Sequence, residues 1–246
     1  VDMGANFQGH KVKILATINR SVAGSKTKTL NTAEAVQKTD QTEIESGTIG
    51  LGKADVYKIN NVYMAADFAS DATNSDTDIT DRFELDSGMR DNFYDIGRLK
   101  LKTGSITPTG RLLVNFDYFS HGTGDYFDVD SYSGIIDYED IPSFTSGTTG
   151  QVFELRDSLD FRPRVDDAST INSGDQDRSY DGTGASPTDV VKFETDITSD
   201  FEFYLQRVDK IFLDKEGNFR VLKGASSLTP EIPNSLDNAM HLYTLF

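Results

Sequence analysis

The segment Asp200–Gly224 constrains the fold of this chain more than any other part of it. Its first arm alternates apolar and polar residues, a period of two that is typical of a strand with one buried face. A second apolar run begins at Phe219, after the polar turn Asp214–Asn218. Gly217 in this turn can adopt the positive φ that a short hairpin loop requires. The segment therefore predicts a β-hairpin.

The same alternation predicts which side chains of the hairpin are buried. We expect the core to contain Phe203, Leu205, Phe219 and Val221. If this assignment is right, Phe203→Asp disturbs folding.

Further short strands, separated by turns, are expected along the chain. They cover residues 11–18, 83–85, 93–101 and 111–119, and residues 54–66 predict a second hairpin around Asn60-Asn61. No segment has the length and period of a long amphipathic helix. These features predict an all-β fold, with antiparallel β-sandwich domains and long acidic loops.

Length and composition limit the domain organisation. The 246 residues suit one large β domain or two ordinary ones, and we place a boundary between residues 1–104 and 105–246. The chain begins with Val1 and ends on the apolar pair Leu245-Phe246, so we expect a segment of a longer polypeptide. With no cysteine there is neither a disulfide framework nor a thiolate site. No apolar run reaches the length of a membrane span.

The charge balance excludes two classes of partner. Lysine and arginine number 24 and acidic residues 40, which gives a net charge of −16. Binding to nucleic acid or to an anionic membrane surface requires clustered basic residues. We therefore expect neither partner.

Two acidic loops are the candidates for a cation site. Residues 70–81 and 166–189 present carboxylates at alternate positions, as calcium loops do. The candidate metal ligands are Asp76, Asp78, Asp175 and Asp177. The EF-hand pattern fails, because Ile79 stands where that loop has glycine and Leu85 where it has glutamate. The alternative is a pair of solvated turns, which aspartate favours by itself.

Two charged clusters are interpreted as ion pairs. Asp128 and Asp130 are expected on one face of a strand, paired with Arg98 or Arg111. The charged run from Arg156 to Arg164 predicts a structural ion-pair network at a corner of the fold.

No catalytic site can be assembled from the sequence. Ser120, His121 and Asp125 are close in sequence, but a catalytic triad is assembled in space rather than by adjacency. We therefore predict no catalytic residues and no enzymatic activity.

Several segments carry a resemblance to a known family. They are Arg90–Gly97, Gly110–Phe119, Gly124–Tyr132, Glu154–Arg164, Asp200–Gly224 and Asn238–Leu245. Their order resembles a family of tailed-bacteriophage virion proteins, found in tail-fibre and baseplate-associated proteins of contractile-tailed phages, including marine and cyanobacterial ones. The resemblance covers about residues 80 to 246. It implies a virion structural role and supplies no catalytic residues.

The resemblance sets the functional expectations. We expect a tail-fibre or baseplate component, assembled in the host cytoplasm, that binds other virion proteins and forms a homo-oligomer, with a trimer as the form the resemblance implies. No cofactor is expected besides the calcium considered above. One alternative is a carbohydrate-binding adhesin that stacks host glycans on Tyr63, Tyr126, Tyr132 and Tyr180. The other is a phage-borne glycan hydrolase.

Overall fold

The chain forms short antiparallel strands with little helix. The computed structural model describes residues 17–19, 21–167, 191–192, 194, 196–198, 200 and 203–246. The described strands are β1 (Lys28–Lys38), β2 (Thr48–Ala54), β3 (Val56–Met64), β4 (Thr77–Asp78), β5 (Phe83–Asp86), β6 (Ile96–Leu101), β7 (Leu112–His121), β8 (Ser143–Thr145), β9 (Val152–Glu154), β10 (Asp209–Asp214), β11 (Phe219–Leu222) and β12 (Ala239–Leu245). One α-helix, α1 (Gln41–Glu45), lies between β1 and β2. The all-β class is confirmed, and the sandwich arrangement stays a prediction.

The chain divides into two compact units, Val1–Phe193 and Glu194–Phe246. The boundary expected between residues 104 and 105 falls inside the first unit. Strands β1 and β3 precede that position, and both pair with β7, which follows it. These pairings tie the two expected domains into one unit.

The described residues of the first unit form three sheets. One has the strand order β1-β7-β3-β4, the second β2-β6-β5, and the third pairs β8 with β9. Apolar residues of the first two sheets, such as Val114 and Phe116 on β7 and Ile49 on β2, lie in one buried cluster. A second cluster contains Phe119 and Tyr132. Among the described residues, no helix has the length and apolar character to cross a membrane.

Strand β3 corrects one predicted turn. Asn60-Asn61, expected at the tip of a hairpin, lies inside β3, which pairs along β7. Asn60 donates to Asp117 at 2.8 Å, so its amide has a partner within the sheet. Residues 11–16 of the predicted first strand lie outside the described residues.

Strand β1 is interrupted by a bulge. The register with β7 shifts between Asn31 and Glu34, and Ala33 there has a φ of 56°. The Ala33 amide donates to the Asp117 carboxylate at 2.8 Å. A carboxylate on β7 thus binds the amide that the bulge leaves without a ladder partner.

The second unit confirms the predicted hairpin. Strands β10 and β11 are antiparallel, with Leu213 opposite Phe219, and Gly217 in the turn has a φ of 86°. Strand β12 pairs with the other edge of β10, which gives the order β11-β10-β12.

The prediction that four residues of this unit belong to the core is wrong. Phe203, Leu205, Phe219 and Val221 are 60%, 43%, 73% and 57% exposed. Phe212 and Val208 are the buried apolar residues instead, at 0% and 4%. Alternation marks a face as apolar but does not say what covers it. Among the residues that the structure describes, none covers the face that carries Phe219 and Val221.

Candidate functional site

A group of buried ionisable side chains lies where β1 begins and β7 ends. Lys28, the first residue of β1, is in register with His121, the last residue of β7. Asp55 occupies the bend between β2 and β3 with a φ of 57°, and its carbonyl accepts a hydrogen bond from Phe119 at 2.9 Å. Aspartate enters this left-handed region more readily than most residues. The bend brings the Asp55 carboxylate to the ends of β1 and β7.

The three side chains converge on one oxygen atom. Oδ2 of Asp55 lies 2.7 Å from Nζ of Lys28 and 2.6 Å from Nε2 of His121. The exposure of each side chain is 1% or less. Oδ1 of Asp55 is buried and has no hydrogen-bond partner among the described residues.

The charge states follow from burial and from the short contacts. Burial lowers the pKa of Lys28, but the Asp55 carboxylate more than offsets this and the net pKa is raised. Burial raises the pKa of Asp55, but Lys28 and His121 lower it overall. Burial is the main cause that lowers the pKa of His121 to about 4. At neutral pH the group therefore combines an ammonium, a carboxylate and a neutral imidazole.

Aromatic rings surround the Lys28 ammonium. Nζ lies 4.7 Å from the ring centres of Tyr94 and Phe127, 4.8 Å from that of Tyr132 and 5.1 Å from that of Phe119. Contacts of this kind stabilise a desolvated cation. We call Lys28, Asp55, His121 and these four rings the lysine site.

A second buried ion pair adjoins the lysine site through Tyr94. The Tyr94 hydroxyl donates to Asp160, which also accepts two hydrogen bonds from the Arg162 guanidinium at 2.9 and 2.8 Å. Arg162 lies 4.6 Å from the centre of the Tyr94 ring. The structural ion-pair network predicted for residues 156–164 is thereby confirmed.

The lysine site is closed to solvent. Its side chains are buried, so a substrate has no surface through which to reach them. The sequence neighbours of His121 also do not assemble a triad with it. Ser120 contacts Asn31, and Asp125 accepts a hydrogen bond from Gly24 at 2.8 Å.

The candidate cation ligands that can be located are used in turns. Asp76 accepts hydrogen bonds from the Thr73 amide and hydroxyl at 2.6 and 2.9 Å. Asp78 accepts from the Thr80 amide at 2.9 Å and from Asn61 at 3.2 Å. Within the described ranges, no group of three or more carboxylate or histidine side chains is arranged to hold a metal ion. Asp175 and Asp177 lie outside those ranges.

The predicted pairing of Asp128 and Asp130 with an arginine differs from expectation. Asp128 does not lie on a strand but precedes the 3-10 turn Val129–Tyr132, where it accepts from the Ser131 amide at 3.1 Å. Arg98 pairs with Asp95, and Arg111 pairs with Asp71. The expected pairing with Asp128 and Asp130 is wrong, because nearer carboxylates bind both arginines.

Four of the six segments from which we expect a family resemblance contribute side chains to this site or next to it. Tyr94, Phe119, Phe127 and Arg162 each come from a different one of them, whereas Lys28 and Asp55 lie upstream of all. No protein-family model, no curated protein and no solved structure matches the chain. The interpretation of the site therefore rests on its geometry.

The second unit presents a different feature, an exposed apolar sheet face. On β10, Ile211 is opposite both Val221 and Tyr243, and Leu213 is opposite both Phe219 and Met240. Residues directly opposite each other in antiparallel strands point to the same side of the sheet. We call this set the apolar sheet face: Ile211, Leu213, Phe219, Val221, Met240 and Tyr243. Four of its members are more than half exposed: Phe219, Val221, Met240 and Tyr243.

Proposed function

We propose that this chain is a structural component of a bacteriophage virion, within a tail fibre or baseplate appendage, and that it acts through assembly interfaces rather than catalysis. The apolar sheet face is the observation that carries the proposal. The resemblance to tail-associated virion proteins is the reason for proposing that this assembly occurs in a phage tail. No cofactor enters the proposed function.

The apolar sheet face is suited to a permanent contact. A three-stranded sheet normally requires a second layer over its apolar face. Within the part of the chain that the structure describes, Phe219 and Val221 of β11 lie beside Ile211 and Leu213 of β10 without such a layer. Contiguous exposed apolar surface of this kind marks protein–protein contacts. The occupant that we propose is another copy of this chain in a homo-oligomer.

The charge of the rest of the chain restricts where copies can meet. A net charge of −16 makes copies repel each other at general surfaces. None of the six residues of the apolar sheet face is charged. Association is therefore favoured at this face over the remainder of the surface.

The alternative functions draw less support from the described residues. Tyr132, one of the tyrosines considered for glycan stacking, is 1% exposed and contacts Lys28. Tyr180 lies outside the described residues. The buried ion pairs of the first unit stiffen a scaffold and offer no surface cleft for hydrolysis.

Light scattering coupled to size-exclusion chromatography tests the assembly step. For the unmodified chain we expect a mass of two or more whole multiples of the 27.2 kDa of one chain. Phe219→Asp places a charge in the apolar sheet face and is expected to give monomers. Ile106→Asp is the matched control, because Ile106 is 71% exposed and belongs to the first unit rather than to this sheet. This control is expected to keep the oligomer.

Two results would contradict the proposal. If the unmodified chain is a monomer at high protein concentration, the proposed homo-oligomer is contradicted. An oligomer that both acidic variants leave intact moves the interface away from the apolar sheet face.

A further inference from the structure

The lysine site holds an amine and a carboxyl group at hydrogen-bonding distance with water excluded. Nζ of Lys28 lies 2.7 Å from Oδ2 of Asp55, and both side chains are sealed from solvent. The two residues are 27 positions apart in sequence. One belongs to a strand and the other to a bend stabilised by a backbone hydrogen bond, so neither needs to move far to react.

An ion pair leaves this site incompletely satisfied. A carboxylate has about four acceptor positions on its two oxygens. At Asp55, Oδ2 binds both Lys28 and His121, whereas Oδ1 has no hydrogen-bond partner among the described residues. Taking two charges out of water carries a desolvation penalty that their attraction often fails to repay. A neutral product would remove that penalty.

We infer that Lys28 and Asp55 form an intramolecular isopeptide bond. The bond is an amide between Nζ of Lys28 and Cγ of Asp55, formed with the loss of one water molecule. The reaction needs no oxidant, reductant or second substrate. The inference is independent of the proposed virion function.

The reaction balances within the three side chains. A proton moves from the Lys28 ammonium to Oδ2 of Asp55, which leaves an amine and a carboxylic acid with no change in net charge. The amine nitrogen then attacks Cγ, and Oδ1 holds the negative charge of the tetrahedral intermediate. The bonded nitrogen, which is positively charged in this intermediate, gives a proton to His121. The resulting imidazolium gives a proton from Nε2 to the Oδ2 hydroxyl, which departs as water as the amide forms.

The position of His121 suits this proton exchange. Nε2 lies 2.6 Å from Oδ2, the oxygen that leaves. Because burial holds the pKa of His121 at about 4, its ring is neutral at physiological pH and can both give and accept a proton. His121 therefore transfers a proton at the reacting carboxyl group.

The surrounding rings favour the bond once it has formed. Holding two reacting groups in contact corresponds to effective concentrations of about 10⁵–10⁸ M in well-oriented intramolecular reactions. The contacts of Lys28 with Tyr94 and Phe127 stabilise the ammonium and so slow the first proton transfer. The same rings keep water from the product, so the reverse hydrolysis is suppressed. The bond would join the start of β1 to the β2–β3 bend in a chain without cysteine.

Intact-mass spectrometry of the denatured 246-residue chain tests the inference. We expect the unmodified protein to be lighter than its sequence mass by one water molecule. Proteolytic digestion should then yield a branched peptide that joins the Lys28 and Asp55 segments. Asp55→Asn should form the same amide with the loss of ammonia instead of water.

Matched variants assign the loss of water to this pair. Lys28→Met and Asp55→Ala should show their full sequence masses. Lys53→Met removes the lysine of a partly exposed ion pair with Asp167 at 3.1 Å and should still lose water. A full sequence mass for the unmodified chain overturns the inference, as does a loss of water that persists in Lys28→Met. The mass of the unmodified chain decides the question even if a variant fails to fold.

Discussion

Nζ of Lys28 and Oδ2 of Asp55 lie 2.7 Å apart in a site that no solvent reaches. This contact connects the first residue of β1 with the bend that precedes β3, and β7 lies between those strands in the sheet. His121 completes the contact from β7. The lysine site therefore joins three neighbouring strands of one sheet at one end.

The pH dependence of stability should report on His121. The pKa of His121 is about 4 in the folded chain, below the ordinary value of 6.5. Between these two pH values the unfolded chain therefore binds a proton at His121 that the folded chain does not bind. The stability that the neutral His121 ring contributes is therefore fully present above pH 6.5, and it is lost as the pH falls from there towards 4. The loss amounts to about 3 kcal/mol at most. It can be followed by urea unfolding at a series of pH values.

A histidine pair provides the control for this measurement. His121→Gln removes the titrating ring and should flatten the stability curve between pH 6.5 and 4. His241→Gln changes an exposed histidine of the second unit and should leave the curve as it is. Equal pH dependence in the unmodified chain and in His121→Gln would show that another group controls it.

Gly97 occupies a position where the packing excludes a methyl group. A Cβ atom at this residue would lie 2.4 Å from Cγ2 of Val56. We expect Gly97→Ala to destabilise the chain by about 1–3 kcal/mol, as overpacked cores do. At Gly147 no atom lies within 4 Å of such a Cβ atom, so Gly147→Ala should be near neutral. Calorimetric melting temperatures compare the two, and equal temperatures would contradict the packing of β6 against Val56.

At the bulge in β1 we expect a substitution to stabilise the chain rather than destabilise it. Ala33 has a φ of 56°, which costs an L-residue about 1–2 kcal/mol and a glycine much less. Ala33→Gly should therefore raise the unfolding midpoint, after the greater entropy of the unfolded glycine is subtracted. Ala35→Gly, at an exposed position with an ordinary φ on the same strand, should lower it. A decrease in both variants would contradict the backbone geometry of the bulge.

Phe212 and Phe219 should differ sharply in their effect on the second unit. Phe212 is fully buried, and Phe212→Ala is expected to destabilise this unit by about 3–5 kcal/mol. Phe219 is 73% exposed, so Phe219→Ala should alter assembly but not the stability of the dissociated chain. Hydrogen exchange of β10–β12, measured at high dilution, distinguishes these outcomes. Fast exchange in Phe219→Ala alone would reverse the assignment of the two faces.

One local feature of the fold, the hairpin of the second unit, could be predicted from the sequence. The hairpin of β10 and β11 depends on a short apolar pattern and on Gly217, all within a few residues. The buried face of the same hairpin could not be predicted, because Phe212 and Phe219 are equally apolar. Which of them is covered depends on the rest of the chain or on a partner.

The lysine site could not be predicted because its residues are distant in sequence. Lys28 and His121 meet through the register of β1 and β7, which no local pattern encodes. Asp55 joins them from the bend between β2 and β3, and in the sequence this bend cannot be distinguished from an ordinary polar turn. The available signal was the frequency of aromatic residues between Tyr94 and Tyr132, since Tyr94, Phe119, Phe127 and Tyr132 surround Lys28.

Gold-labelled antibody imaging of intact phage particles tests the proposed function most directly. An antibody raised against this chain should label the tail fibres or the baseplate. Its position towards the tip or the base would separate receptor contact from attachment. Label on the capsid, or particles without label, would contradict the role in a tail appendage.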